Sequence, residues 1–393
     1  MEAEPRIQFD DTSTAFSYKS DKQLRKANFI FTVVNNPVIS PMATTMAKYA
    51  LKLHVPFVKT IIRNTIFEHF CGGETIDESQ RTIAALHKFN VGTILDYSVE
   101  GAKTEQGFDD TTTEILHTIE KAKGNNATPF CVFKVTGMAD TPLLAKINAK
   151  ETLTSEESAA FERVRSRVDE LCKKAFECNV RILVDAEETW IQEPIDDLAY
   201  EMMRKYNRQT AIVFNTFQMY RKDMSNNLRV AHADSLKDNY HLGVKLVRGA
   251  YMEKEAARAE KEGYENPIHD SKEDTDKAFN KGLQYCIDNI KNIELMCGSH
   301  NDYSNRFLTV LMEKHGLKSN DPRVWFAQLL GMSDHISFNL SKAGYNVAKY
   351  VPYGPVKAVM PYLIRRAQEN TSVAGQSSRE LQLIRKELKR RSK

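Results

Sequence analysis

Eight short apolar runs punctuate the chain from residue 91 onward: 91–97, 129–135, 180–186, 211–215, 243–247, 293–297, 324–330 and 348–351. Each is only a few residues long and rich in Val, Ile, Leu or Phe, as expected of strands buried on both faces. Between most of them, apolar residues recur at helical spacing. Residues 155–177 are the clearest case. There Thr154 and Glu157 form a capping box, and Phe161, Val164, Val168, Leu171 and Ala175 follow down one face. Residues 111–123, 194–206, 271–291 and 302–315 read as further helices. Eight strands alternating with helices over about 280 residues predict an α/β fold, a (βα)8 TIM-type barrel, rather than an open doubly wound sheet. No GxGxxG follows the first run, which weakens the dinucleotide-fold alternative.

A helical arm is expected ahead of the barrel. Residues 1 to about 20 are polar and read as loosely held. Ser20 or Asp21 can cap a helix with Leu24, Ala27, Phe31 and Val34 on one face. Pro41 suits the first turn of a second helix carrying Met42, Met46, Tyr49 and Leu53, and a third segment runs from Pro56 to Cys71 before Gly72-Gly73. The tail from Arg379 is basic and amphipathic, with Leu381, Ile384 and Leu388 on one side. It reads as a packed terminal helix ahead of a membrane-surface contact. The expected division is therefore an arm (1–85), a barrel (86–375) and a basic tail (376–393).

Composition narrows the function classes. With 393 residues there is ample core, and a formal charge of +3 is too small at this length to argue for nucleic acid. No apolar run approaches a membrane span. The start is acidic and resembles neither a secretory signal nor an arginine-rich presequence, though a presequence removed beforehand fits equally well. Six scattered cysteines without a CxxC pair read as buried thiols of a reducing compartment.

The chemistry gathers where the runs end, which in such a barrel is where ligands bind. The second run ends in Lys134. The third ends in Asp185 and Glu187. Asn215 and Gln218 follow the fourth. The fifth, Lys245-Leu-Val-Arg248-Gly249-Ala250-Tyr251, places two cations and a tyrosine around a small-residue turn. The sixth leads into Gly298-Ser299-His300-Asn301, and the eighth gives Tyr350 and Tyr353. After it, Tyr362, Arg365, Arg366 and Glu369 share one helical face. Two guanidiniums with a lysine suit a carboxylate ligand. No HExxH or other metal spacing and no GxSxG elbow appear. A cation- and tyrosine-rich site without a nucleophile suits an enzyme whose hard chemistry is done by a cofactor.

These motifs resemble the proline dehydrogenase (proline oxidase) family. The resemblance rests on Phe133-Lys134, Val184-Asp185-Ala186-Glu187-Glu188, the LVRGAY stretch 246–251, Gly298-Ser-His300-Asn301, Gln328-Leu-Leu-Gly-Met332, Lys349-Tyr350-Val-Pro-Tyr353-Gly and Tyr362-Leu-Ile-Arg365-Arg366-Ala-Gln-Glu369-Asn370. It implies a distorted barrel holding FAD non-covalently, in a monofunctional member of the family. The implied reaction is oxidation of L-proline to Δ1-pyrroline-5-carboxylate, the first step of proline catabolism, with hydride passed to flavin N5 and electrons to a membrane quinone. Lys134, Arg365 and Arg366 are implied as the carboxylate clamp, and Asp185, Tyr251 and Tyr350 as lining the substrate ring. Gln218, Lys245, Arg248, Gly249, Ala250, His300 and Asn301 are assigned to FAD. Glu187 supports the site, and Glu369 orders the arginines. Tyr350 favours unsubstituted proline, because relatives acting on hydroxyproline carry a smaller residue there. Many bacterial members have arginine in place of Lys245, so the contact to the flavin loses the guanidinium fork. Localisation is expected at the mitochondrial inner membrane with a presequence removed, or, in a bacterium, in the cytoplasm or peripherally on the inner face of the membrane. Two rival readings remain: a barrel lyase or aldolase forming a Schiff base on Lys134, and an inactive barrel acting as a binding protein. The second is disfavoured because a scaffold would not keep buried cations unpaired.

Overall fold

A computed structural model describes residues 7–36, 42, 46, 57–99, 102–372 and 376–393. Eight parallel strands close into a barrel in chain order. They are β1 (Val91–Tyr97), β2 (Phe130–Lys134), β3 (Arg181–Asp185), β4 (Val213–Gln218), β5 (Leu242–Val247), β6 (Ile293–Gly298), β7 (Val324–Leu329) and β8 (Val347–Tyr353). All eight apolar runs are strands. β4 continues three residues past Asn215, so Gln218 closes the strand instead of following it. Two compact units divide the chain, one made of residues 1–100 and 328–393 and the other of residues 101–327.

In the first unit β1 pairs with β8 from Val91↔Val347 to Tyr97↔Tyr353. Ser20 caps the Asp21–Val34 helix through a capping box with Gln23, and Leu24, Ala27, Phe31 and Val34 are all buried. That face shares one apolar cluster with Val359 and Leu363 of the Val356–Ser372 helix and with Leu381 and Ile384 of the Gln376–Arg391 helix. The tail is thus a packed helix. Residues 7–19 are not loose: Ile7, Phe9 and Phe16 are buried and a short helix spans Thr12–Ala15. Counting polar residues missed three large apolar side chains spaced irregularly enough to fit no period. Val58–Ile62, a π turn at Arg63–Phe67 and Glu68–Phe70 form the third arm segment. Most of the expected second arm helix, including Pro41, Tyr49 and Leu53, lies outside the described residues.

A sealed ion cluster ties this unit together. The Lys349 ammonium on β8 is fully buried and lies 2.8 Å from Asp334 Oδ1, while Lys19 Nζ lies 2.8 Å from Oδ2. Tyr18 Oη donates to the same carboxylate at 2.8 Å. Burial would raise the Asp334 pKa, but the two lysine charges hold it far below the usual carboxylate range.

In the second unit the strand ladder runs β2–β3–β4–β5–β6–β7, with Lys134 opposite Asp185 and Thr216 opposite Lys245. The Ser155–Cys178 helix has the expected capping box at Thr154 and ends at Asn179 in the left-handed conformation. The next helix, Thr189–Tyr206, starts five residues before Pro194. All six cysteines are free and buried.

Removing the carboxylate of a buried pair strands its cations, at a cost of about 3–5 kcal/mol. Asp334→Ala is therefore expected to lower the unfolding free energy by about that amount, read from the urea midpoint at unchanged slope. A loss below about 1 kcal/mol, the scale of a surface pair, would contradict this.

Candidate active site

The ends of β2, β3 and β5 meet in a buried ion triad. Asp185 Oδ2 accepts from Lys134 Nζ at 2.9 Å and Oδ1 from Lys245 Nζ at 2.5 Å. The Lys245 side chain is 6% exposed, and that of Lys134 is 28% exposed. The triad thus has a sealed cation and a reachable one. Burial favours the neutral acid at Asp185, but the charges of Lys134 and Lys245 prevail and hold its pKa at about 2. The sequence-level expectation of unpaired cations is corrected here: these lysines are paired, because a low-dielectric interior does not tolerate a bare ammonium.

Glu187 points the other way electrostatically. It is buried, and burial pushes its pKa up to about 7 against the opposing Lys134 charge and hydrogen bonds from Thr136. Thr136 N donates to Oε1 at 3.1 Å and the Thr136 hydroxyl donates to Oε2. Gln218 Nε2 donates to the Glu187 carbonyl at 2.8 Å and to Tyr220 Oη at 3.0 Å. Its Oε1 is buried and has no partner among the described residues.

Arg248 lies just beyond β5. Its guanidinium packs 4.0 Å from the Phe279 ring centroid. It donates to Asp276 Oδ1 at 2.7 Å, to Ser299 Oγ at 2.6 Å and to the Ser304 hydroxyl. Asn301 caps the Asp302–Lys314 helix through Ser304 N–H, and His300 precedes it, half-buried. Gly249 takes φ +122°, and a Cβ there would lie 2.1 Å from the Tyr220 ring, so this turn requires glycine. Ala250 is exposed and Tyr251 half-buried. Asp276, Ser304 and Thr136 were missed from the sequence. Asp276 and Ser304 lie in helices away from the strand ends, Thr136 closely follows β2, and each acts through a contact distant in the chain.

In the first unit, Tyr350 is buried on β8. Tyr362 and Arg366 are buried on the Val356–Ser372 helix, with the Arg366 guanidinium 5.1 Å from the Tyr362 ring centroid. Arg365 is half-buried. The side chain of Glu369 lies outside the described residues.

A raised pKa makes a testable contribution to stability. Folded protein keeps the Glu187 proton until about pH 7, whereas the unfolded chain releases it near pH 4.3. Stability from this group is complete below the lower value and falls as pH rises to the upper one. Glu187→Gln is expected to remove that decline, roughly 2–4 kcal/mol between pH 4.5 and 7.5, measured by denaturation at each pH. An unchanged pH slope in the variant would contradict it.

The chain is similar to known proteins over most of its length. A family profile described as proline dehydrogenase matches residues 79–379. Mitochondrial proline dehydrogenase 1 of Dictyostelium discoideum is 33% identical over 97% of this chain and 74% of its own length. The human mitochondrial proline dehydrogenase 1 is 45% identical over 64% of this chain and 41% of its own. Among solved structures, proline utilization A from Bdellovibrio bacteriovorus superposes with a TM-score of 0.72 at 18% identity, covering 93% of this chain. The chain spans only 38% of that protein, so the likeness there is one of fold. With the family profile in agreement with relatives matched over about three quarters of their own length, the chain belongs to the proline dehydrogenase family, enzymes of proline oxidation.

Proposed function

We propose that the protein oxidises L-proline to Δ1-pyrroline-5-carboxylate with bound FAD, as the first step of proline catabolism, and delivers the electrons to a quinone. What carries this reading is family membership over a span that contains every residue named as a ligand. The donor set fits the cofactor: Gln218 offers a buried oxygen open to an N–H donor, and Lys245 offers a buried cation. Gln218, Lys245, Arg248, Gly249, Ala250, His300 and Asn301 would hold FAD. When bound, FAD supplies the hydride acceptor at N5.

The chain's own residues bind and orient proline. Lys134, Arg365 and Arg366 hold its carboxylate, for which guanidinium forks are matched in shape. Glu369 orders the arginines. Asp185 fixes both lysines and, with Tyr251 and Tyr350, lines the ring. Glu187, pinned by Thr136, supports Lys134. The substrate nitrogen must be neutral for its lone pair to assist hydride departure, so its proton leaves first, to water or bulk base. The Schiff-base alternative is weakened by the Lys134–Asp185 pair, because imine formation needs a neutral amine and this pairing favours the ammonium.

Among the described residues no helix is long and apolar enough to cross a membrane. Several relatives carry "mitochondrial" in their names. We place the protein at the mitochondrial inner membrane, in peripheral contact with the quinone pool.

The direct test is the visible spectrum before and after anaerobic L-proline. Flavin bands that bleach on addition are expected; a protein that takes up no FAD would overturn the reading. Arg365→Met or Arg366→Met should raise KM for proline by roughly 10- to 100-fold or more, as loss of a charged hydrogen bond implies. An unchanged KM would remove that residue from the clamp. In the wild type kcat/KM should climb with pH towards the amine pKa, and a flat profile from neutral to alkaline pH would contradict the neutral-amine requirement.

A further inference from the structure

The excursion after β5 is fastened to the start of the helix that follows β3 by three successive contacts. Its helix, Met252–Glu262, turns Lys254, Glu255 and Arg258 towards residues 188–190. Lys254 Nζ lies 2.8 Å from Glu188 Oε1. Glu255 accepts from Thr189 N at 2.7 Å and from Thr189 Oγ1 at 2.6 Å. The Arg258 guanidinium lies 4.5 Å from the Trp190 ring centroid.

The middle contact is unusual in its burial. Glu255 is 0% exposed although it sits in the first turn of a strongly polar helix, where a glutamate would ordinarily face water. The reason lies at the other end of the contact. Thr189 opens the Thr189–Tyr206 helix, and Glu188, at the N-cap position, makes no side-chain cap. The first N–H of that helix needs an acceptor, and the positive end of the helix favours an anion. Glu255 fills the role from 66 residues further along the chain.

Candidate site residues flank the positions so fixed. Tyr251 occupies the N-cap position of the Met252–Glu262 helix, and its carbonyl accepts Glu255 N–H at 2.9 Å. Glu187 lies immediately before Glu188, and Asp185 closes β3 three residues before it. On the far side of Tyr251, Gly249 turns against the Tyr220 ring, and Tyr220 in turn binds Gln218. The loop that carries Tyr251 is therefore clamped at both ends, by the Gly249 turn and by Glu255.

We propose that Glu255 is a positioning residue: by capping the Thr189–Tyr206 helix it sets Tyr251 against the β3 end and so tunes the affinity for substrate. This rests on the proline reading of the site. The test uses the FAD-loaded, full-length protein, with steady-state kinetics on L-proline and amide hydrogen exchange. Glu255→Ala should raise KM at least 10-fold with kcat within 3-fold of wild type. Glu255→Gln keeps an oxygen for Thr189 N–H and should restore KM to within 3-fold. In a Tyr251→Phe background, Glu255→Ala should add less than 2-fold, because its effect passes through Tyr251. Exchange in Glu255→Ala should quicken at 252–262 while 130–134 and 181–185 stay protected. A folded Glu255→Ala with wild-type KM, an equal KM rise in both backgrounds, or unchanged exchange at 252–262 would each overturn the proposal. If Glu255→Ala does not fold, Thr189→Val decides, since it keeps the N–H but loses one of the two donors. It should give the same KM-specific effect at 3-fold or more, and a wild-type KM overturns the proposal. A wild type that fails to turn over L-proline would end the proline reading, and the exchange result would still decide the clasp.

Discussion

A carboxylate inside a barrel is costly unless cations meet it, and Asp185 is met from both sides. Lys134 comes from the neighbouring strand, directly opposite in register, and Lys245 from two strands further on. Only a parallel ladder with its ends level brings three such side chains to one point. The arrangement brings two ammoniums to one carboxylate. Asp185 fixes both lysines in place, and a cation fixed beforehand lowers the ordering cost of binding an anion.

The same device recurs in the first unit with a different purpose. Asp334 also lies between two lysines, Lys349 and Lys19, and also has a strongly depressed pKa. The difference is access. Lys349 is wholly buried and donates its remaining hydrogen bonds to the Met332 and Leu329 carbonyls. Lys134 keeps part of its side chain open to solvent. A sealed triad fastens the residue 18–19 segment to β8, whereas an open one can receive a ligand. Charge pattern alone therefore does not mark a ligand site; a reachable cation is needed as well.

The strands were legible because burial on both faces writes a continuous apolar run, and the strand-end cations because packing does not need them. Lys134, Asp185 and Lys245 were each found this way. Their mutual pairing was not, since a sequence gives no distance between residues 51 or 60 positions apart. The partners of Arg248 were invisible for the same reason: Asp276 and Ser304 sit in helices whose periodicity reports only the core-facing side. Residues 7–19 misled because polar composition suggested a loose end, while Phe9 and Phe16, too far apart to form a pattern, are buried.

The β5 excursion shows what such non-local pairs do energetically. Its helix buries only Glu255 and Ala259, so almost no hydrophobic free energy holds it. What remains is a charged acceptor at a helix N-terminus, one ion pair and one cation–π contact. Of these, the surface pair contributes least, because Lys254 is 60% exposed and screened by solvent. The buried carboxylate contributes most, since without it the Thr189 N–H would lose a charged acceptor in a dry setting. Attachment of the Met252–Glu262 helix to the start of the Thr189–Tyr206 helix thus rests chiefly on one residue, and its strength is set by hydrogen bonding there.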